Sequence, residues 1–139
     1  MKVTDVKSFI VDCFRTNWVF VKVYTDEGIT GIGEATLEYK EKSLVGAVEH
    51  IKEYLVGKNP LEIEKHWHAI YRDAYWRGGA VLMSALSAVE MALWDLIPPE
   101  ESNDFCHRLV DHGRAVCTAR THPYCDQCCL NDICPKNGV

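Results

Sequence analysis

Long apolar runs are missing from this chain. The longest, Ala80 to Leu96, is interrupted by Ser84, Ser87, Glu90 and Asp95. It does not read as a membrane span, which needs about 20 nearly uncharged residues. An excess of positive charge is missing too. Lys and Arg number 15 against 20 Asp and Glu, for a net charge of −5. Such a chain exerts no long-range pull on the phosphates of nucleic acid. No secretory leader is legible, because Met1–Asp5 runs directly into a strand-like pattern. The expected location is the cytoplasm, with no membrane partner. Internal repeats and low-complexity tracts are also lacking. Cysteine is nearly absent from residues 1–96, where Cys13 stands alone.

What is present fits one ordinary globular domain and something added to it. The 139 residues are 47% hydrophobic and 25% charged, enough for a core of reasonable size. After Leu96 comes the breaker Ile97-Pro98-Pro99, and then Cys106, Cys117, Cys125, Cys128, Cys129 and Cys134. This abrupt change in composition marks a boundary, giving candidate domains 1–96 and 97–139.

Val3 to Val11 alternates loosely, and Val19 to Tyr24 is a stronger strand. Asp26-Glu27-Gly28 is a turn, with Gly28 free to take positive φ. Ile29 to Ala35 returns as a third strand carrying Gly31 and Gly33. Together these predict a three-stranded antiparallel meander. Leu44, Val48, Ile51 and Leu55 recur at helical spacing, and Gly57-Lys58-Asn59-Pro60 ends that helix. Ile63, Trp67, Ile70 and Ala74 mark a second helix, ended by Arg77-Gly78-Gly79. Val81 to Leu96 predicts a third, apolar almost all round, which needs cover on several sides. Glu100 to His112 reads as a short amphipathic helix with Gly113 at its cap. The fold class is therefore α+β: a meander, a helical array, a short helix and an irregular cysteine-rich loop, with no barrel.

Cys117, Cys125, Cys128 and Cys134 form the pattern C-x7-C-x2-C-x5-C. In a reducing compartment four such thiolates bind metal rather than pair as disulfides. Four soft ligands suit zinc or an iron–sulfur cluster. Cys129 reads as packing, and Cys13 and Cys106 as small core residues. His66 and His68 fall two apart, on different sides of a helix, and do not make a metal pair. Glu34 reads as a sheet anchor rather than a catalytic carboxylate.

The helix Phe105–Arg114, ending in His112-Gly113-Arg114 and leading into this loop, resembles the C-terminal end of the endonuclease III family of DNA glycosylases. The resemblance covers residues 97–139. It implies a [4Fe–4S] cluster held by Cys117, Cys125, Cys128 and Cys134, with zinc as the alternative. The family has six residues between its first two cysteines where this chain has seven. The helix-hairpin-helix and the catalytic Lys and Asp of that family are not found. DNA remains a partner only through Arg114 and Arg120, against a net charge of −2 over residues 97–139.

A second resemblance covers residues 1–96. It is carried by Asp26–Ala35 (DEGITGIGEA), Tyr71–Leu86 (YRDAYWRGGAVLMSAL) and Ala92–Asp95 (ALWD). These resemble the N-terminal capping domain of the enolase superfamily, in its mandelate racemase-type branch of acid-sugar dehydratases acting on galactonate, mannonate or gluconate. The resemblance implies a cap that closes over a (β/α)₈ barrel. In that family barrel residues hold Mg²⁺ and abstract the proton next to the carboxylate. Mg²⁺ is thus expected only with a barrel, and the chain departs from the family at about Leu96. The resemblance places Asn17 at a substrate contact, and Trp76 and Arg77 in a second loop near the site. The plain readings stand beside these: Asn17 starts a strand, Trp76 is core, and Arg77 pairs with an acid.

The expected chain is a hybrid of two incomplete fragments, with no catalytic residue of its own and a metal-binding tail. The alternatives are a fragment of an acid-sugar dehydratase, which is a lyase, and a fragment of a DNA-repair glycosylase or a zinc module. The helix over 81–96 is expected to leave an apolar patch that drives self-association.

Overall fold

The computed structural model describes residues 1–73, 75–98 and 124. Almost all of these belong to the first of two units, Met1–Ile97 and Pro98–Val139. The first unit is a three-stranded antiparallel sheet followed by three helices, and no barrel closes among the described residues.

The strands are β1 (Val3–Cys13), β2 (Thr16–Thr25) and β3 (Thr30–Glu34), in spatial order β1-β2-β3. Strand β2 shows why the sheet forms. Val19, Val21 and Val23 point inward and are buried, while Trp18, Phe20, Lys22 and Tyr24 alternate to the other face. The loose alternation of β1 has a local cause: the register shifts between Val3 and Asp5. That irregularity turns both Val3 and Val6 to the core. Gly28 sits at φ +80 in the β2–β3 turn, where the Thr25 hydroxyl donates to the Ile29 carbonyl at 2.7 Å.

The first hairpin is longer than the sequence suggests. Cys13 pairs with Thr16, so only Phe14 and Arg15 lie between the strands. Phe14 has φ +46 and is fully exposed. Cys13 is half-exposed at the hairpin end rather than in the core.

Helix α1 (Glu41–Leu55) buries Leu44, Val48, Ile51 and Leu55 along one stripe. Helix α2 (Ile63–Asp73) is pinned by His66, which is almost wholly buried. Its Nε2 lies 2.7 Å from the Asn59 carbonyl, and its Nδ1 lies 3.1 Å from the Tyr54 hydroxyl. The carbonyl can only accept, so Nε2 carries a proton and donates to it. His68 points elsewhere, 3.7 Å from the Glu64 carboxylate.

Helix α3 (Ala80–Trp94) is covered on one side by the sheet, α1 and α2. Ala85, Leu86, Ala88, Val89, Ala92 and Leu93 are buried, while Leu82, Met91 and Trp94 remain exposed. It starts and ends slightly earlier than the apolar run predicts. Two glycines on β3 let it approach closely. A Cβ added at Gly31 or Gly33 would collide with the carbonyl oxygens of Ala92 and Ala88 respectively. Just past the helix, the Asp95 carboxylate accepts the Ile32 N–H of edge strand β3 at 2.9 Å. This satisfies an outward backbone donor and blunts the edge. The sheet anchor is thus Asp95. Glu34 is exposed, and its side chain makes no hydrogen bond among the described residues.

Asp5 on β1 meets Lys52 on α1 at 2.6 Å, and Lys7 lies 3.5 Å from the same carboxylate. The Lys52 hydrogen bond holds the Asp5 carboxyl below its ordinary range, and Asp5 raises the Lys52 ammonium in return. No helix among the described residues is long and apolar enough to cross a membrane.

Candidate functional site

Asn17 is the second residue of β2 and pairs across the hairpin with Asp12. It lies near the start of the strand, and its side chain has a specific partner. The Asn17 amide nitrogen lies 3.4 Å from Oε1 of Glu41, the first residue of α1. The segment before α1 is tied to the same strand. The Ala35 N–H donates to the Val19 carbonyl at 2.8 Å, and the Val19 N–H donates to the Thr36 hydroxyl at 3.1 Å. Beyond this tether, Tyr39 stands out with φ +61 and 81% exposure. The loops on either side of this tether in sequence, the β1–β2 hairpin end and the segment before α1, thus each carry an exposed aromatic residue in left-handed backbone, Phe14 and Tyr39. Such conformations cost roughly 1 kcal/mol or more each in non-glycine residues and collect at functional loops.

Trp76 and Arg77 lie in the α2–α3 connection. Gly78 and Gly79 follow at φ +81 and +83, and together they redirect the chain into α3. Trp76 is 79% exposed and meets Tyr75 edge to face at 5.3 Å. The reading of Trp76 as core is overturned. Its ring meets the equally exposed Tyr75 rather than the core. Arg77 donates to the Arg72 carbonyl at 3.1 Å, in the last turn of α2, and forms no ion pair among the described residues. An exposed guanidinium capping a helix end is favoured by the negative pole of the helix dipole.

Both residues border a cavity of about 180 Å³ between α1, α2, α3 and this loop. Ile51 and Leu86 are its most buried walls, joined by Ala47, Ile70, Leu82 and Met83. His50, Tyr71, Trp76 and Arg77 supply the polar and aromatic lining. Asn17 does not line it. Glu41 beside Asn17 and Ala47 beside the cavity are six residues apart on α1, or ~9 Å along the axis at ~1.5 Å per residue. The structure thus brings Asn17 to the start of α1, and Trp76 with Arg77 to its middle, as two separate places.

Glu41, Thr36 and Tyr39 carry no signal in the sequence. Their relation to Asn17 is made by the sheet register and by the loop tether. Among the described residues no group of three or more His, Cys, Asp or Glu is arranged to hold a metal ion. The candidate ligands Cys117, Cys125, Cys128 and Cys134, the helix expected over Glu100–His112, and Arg114 and Arg120 all lie outside the described residues.

Comparison with known proteins bears on the first unit. Residues 9–99 match the family described as mandelate racemase / muconate lactonizing enzyme, N-terminal domain. A D-galactonate dehydratase family member, RspA of Cellvibrio japonicus, is 48% identical over 97 residues. D-mannonate dehydratase CC0532 of Caulobacter vibrioides is 46% identical over 97 residues. Each match takes in 69% of this chain and 24% of the relative, so the chain spans about a quarter of the length of the curated relatives it matches. A crystal structure of an enolase from Pantoea ananatis, with bound D-gluconate and Mg, superimposes with a TM-score of 0.65 at 36% identity. That match covers 68% of this chain and 23% of the other.

Proposed function

The chain belongs to the mandelate racemase and muconate lactonizing enzyme N-terminal domain family, and on that premise we propose that it serves as the cap of an acid-sugar dehydratase. What carries the reading is the 48% identity to a galactonate dehydratase family member over 97 residues. The likeness of the first unit to the Pantoea ananatis enolase, with a TM-score of 0.65, supports it.

The cap's role is recognition rather than reaction. Asn17 presents an amide that can donate to and accept from sugar hydroxyls, which are themselves both donors and acceptors. Glu41 orients that amide from the start of α1. Phe14 and Tyr39 add exposed rings in the two neighbouring loops. Trp76 and Arg77 form a second recognition loop, with the guanidinium suited to a carboxylate. Loss of water from an acid sugar begins with removal of the proton beside the carboxylate. That step needs a base and an electrophile at the developing negative charge, and the described residues assemble neither. The test uses the full chain with Mg²⁺ and D-galactonate, D-mannonate or D-gluconate. The reading expects no 2-keto product above the protein-free rate. Turnover by the chain alone would overturn it.

For residues 97–139 the cysteine spacing supports a second, independent role, a [4Fe–4S] site at Cys117, Cys125, Cys128 and Cys134. That reading rests on the sequence, since the matched residues 9–99 end before the first of these ligands. DNA contact through Arg114 and Arg120 belongs to the same reading. It predicts DNA retention that falls steeply with salt.

A further inference from the structure

The cavity behind the Trp76–Arg77 loop has a composition that the recognition of an acid sugar does not call for. Its deep walls, Ile51 and Leu86, are buried and apolar. The hydroxyl of Tyr54, another lining residue, is already bonded to His66. A polyhydroxylated chain placed here would leave most of its hydroxyls without partners, at roughly 1–3 kcal/mol for each one buried. The volume of about 180 Å³ instead matches a single ring. An apolar cavity of ~150 Å³ accepts benzene. Tyr71 and Trp76 add ring faces to the wall, and aromatic pairs prefer edge-to-face or offset contact.

Among the described residues the Arg77 guanidinium, which is exposed, and the His50 ring line this cavity, and no Asp or Glu does. The one hydrogen bond that the Arg77 guanidinium makes, to the Arg72 carbonyl, uses one of its five donors. The remaining donors suit a carboxylate bidentately. From the apolar pocket and the cation at its edge, we infer that the α1–α2–α3 cavity is a binding site for a small arylcarboxylate. The ring is taken between Ile51, Ile70 and Leu86, and the carboxylate is taken by Arg77 with His50 beside it. This goes beyond the cap role, in which Arg77 meets the carboxylate of an acid sugar: here it anchors a ring held in the apolar cavity behind the loop.

Methyl NMR on the full chain tests it, with phenylacetate as the probe and benzyl alcohol and D-gluconate as comparisons. Phenylacetate should give saturable shifts centred on Ile51, Ile70, Leu82, Met83 and Leu86. Its dissociation constant should be on the order of 1 mM, as suits so few heavy atoms. Arg77→Gln should weaken phenylacetate about tenfold and leave benzyl alcohol unchanged. Ala47→Leu, which fills the cavity, should abolish both. If that variant loses its dispersed methyl spectrum, Ala69→Leu on α2 serves instead. Three results would overturn the inference. They are no saturation by ~20 mM, a scale well above the expected constant; phenylacetate binding unchanged by Arg77→Gln; or D-gluconate binding at the same methyls as tightly as phenylacetate. None of these results depends on dehydratase activity, so the cap role stands or falls separately.

Discussion

Replacing Gly33 by alanine adds one carbon at the tightest contact in the fold. That carbon would collide with the Ala88 carbonyl oxygen. It would also lie 2.9 Å from the Ala88 carbonyl carbon and 3.0 Å from the Ala92 nitrogen. All three atoms are helix backbone, so no side-chain rotation relieves the clash. Strand β3 or helix α3 must retreat by roughly 1 Å. A gap of that size forfeits a quarter to a half of each dispersion contact across it. The contacts at stake include the buried Ala85, Ala88, Val89 and Ala92 against the sheet. Overpacking in a close-packed core costs about 1–3 kcal/mol, sometimes more. With backbone on the receiving side, the upper end is expected, about 2–4 kcal/mol. That is a large part of the ~5–15 kcal/mol that holds a domain together, and it lowers Tm by ~10 °C or more. The control is Gly46→Ala. Gly46 is exposed within α1, has an ordinary φ and meets nothing within 4 Å. There the same added methyl should stabilise by ~0.5–1 kcal/mol, because glycine is the poorer helix former. Urea melts of the full chain followed by circular dichroism measure both. Equal stability of Gly33→Ala and the parent would refute the close approach of α3 to β3.

The other predictions concern charge, assembly and metal. Asp5 has its carboxyl lowered by Lys52, so the pair adds stability above the unfolded value near 3.8, and this is lost as pH falls through the lower folded value. Asp5→Asn should therefore destabilise at pH 7, and its difference from the parent should shrink below pH ~3.8; a difference independent of pH would contradict the pairing. The exposed side chains of Leu82, Met91 and Trp94 on α3 predict self-association, to be read by sedimentation, and Leu82→Gln with Met91→Gln should shift the chain toward monomer. Anaerobic purification should yield ~4 iron and ~4 sulfide per chain with a brown absorbance if the tail holds the cluster; bound zinc would replace the cluster reading with a structural Cys₄ site, and Cys125→Ser should remove either metal.

Much of the fold was legible because two periodicities are clean. Val19, Val21 and Val23 alternate at period two, and Leu44, Val48, Ile51 and Leu55 follow one helical stripe. The hairpin end was not legible. Phe14 and Arg15 lack the Gly or Asn that usually marks a two-residue turn, so β1 reads two residues short. The glycines of β3 look like a weakness in the strand. Their purpose shows only when Ala88 and Ala92 are brought across from α3, far along the chain. The single-sided cover of α3 has the same origin: an all-round apolar helix does not reveal which side meets the sheet. Among the candidate site residues, Asn17 came from resemblance, and its partner Glu41 from the folded register. Trp76 misled because a tryptophan in a short sequence motif looks like core, whereas here the loop holds it outside. The cavity was invisible beforehand, because its walls come from three helices and a loop with no shared motif.

The cap assignment is tested most directly by exchange. Residues 1–96 of this chain would replace the equivalent cap of the Cellvibrio japonicus galactonate dehydratase family member. The folded hybrid would then be assayed for dehydration of acid sugars with Mg²⁺, alongside its Asn17→Ala variant. The account predicts a hybrid that turns over an acid sugar, with Asn17→Ala losing about tenfold in kcat/KM. A hybrid that folds, binds Mg²⁺ and shows no turnover on any of the three sugars would contradict it.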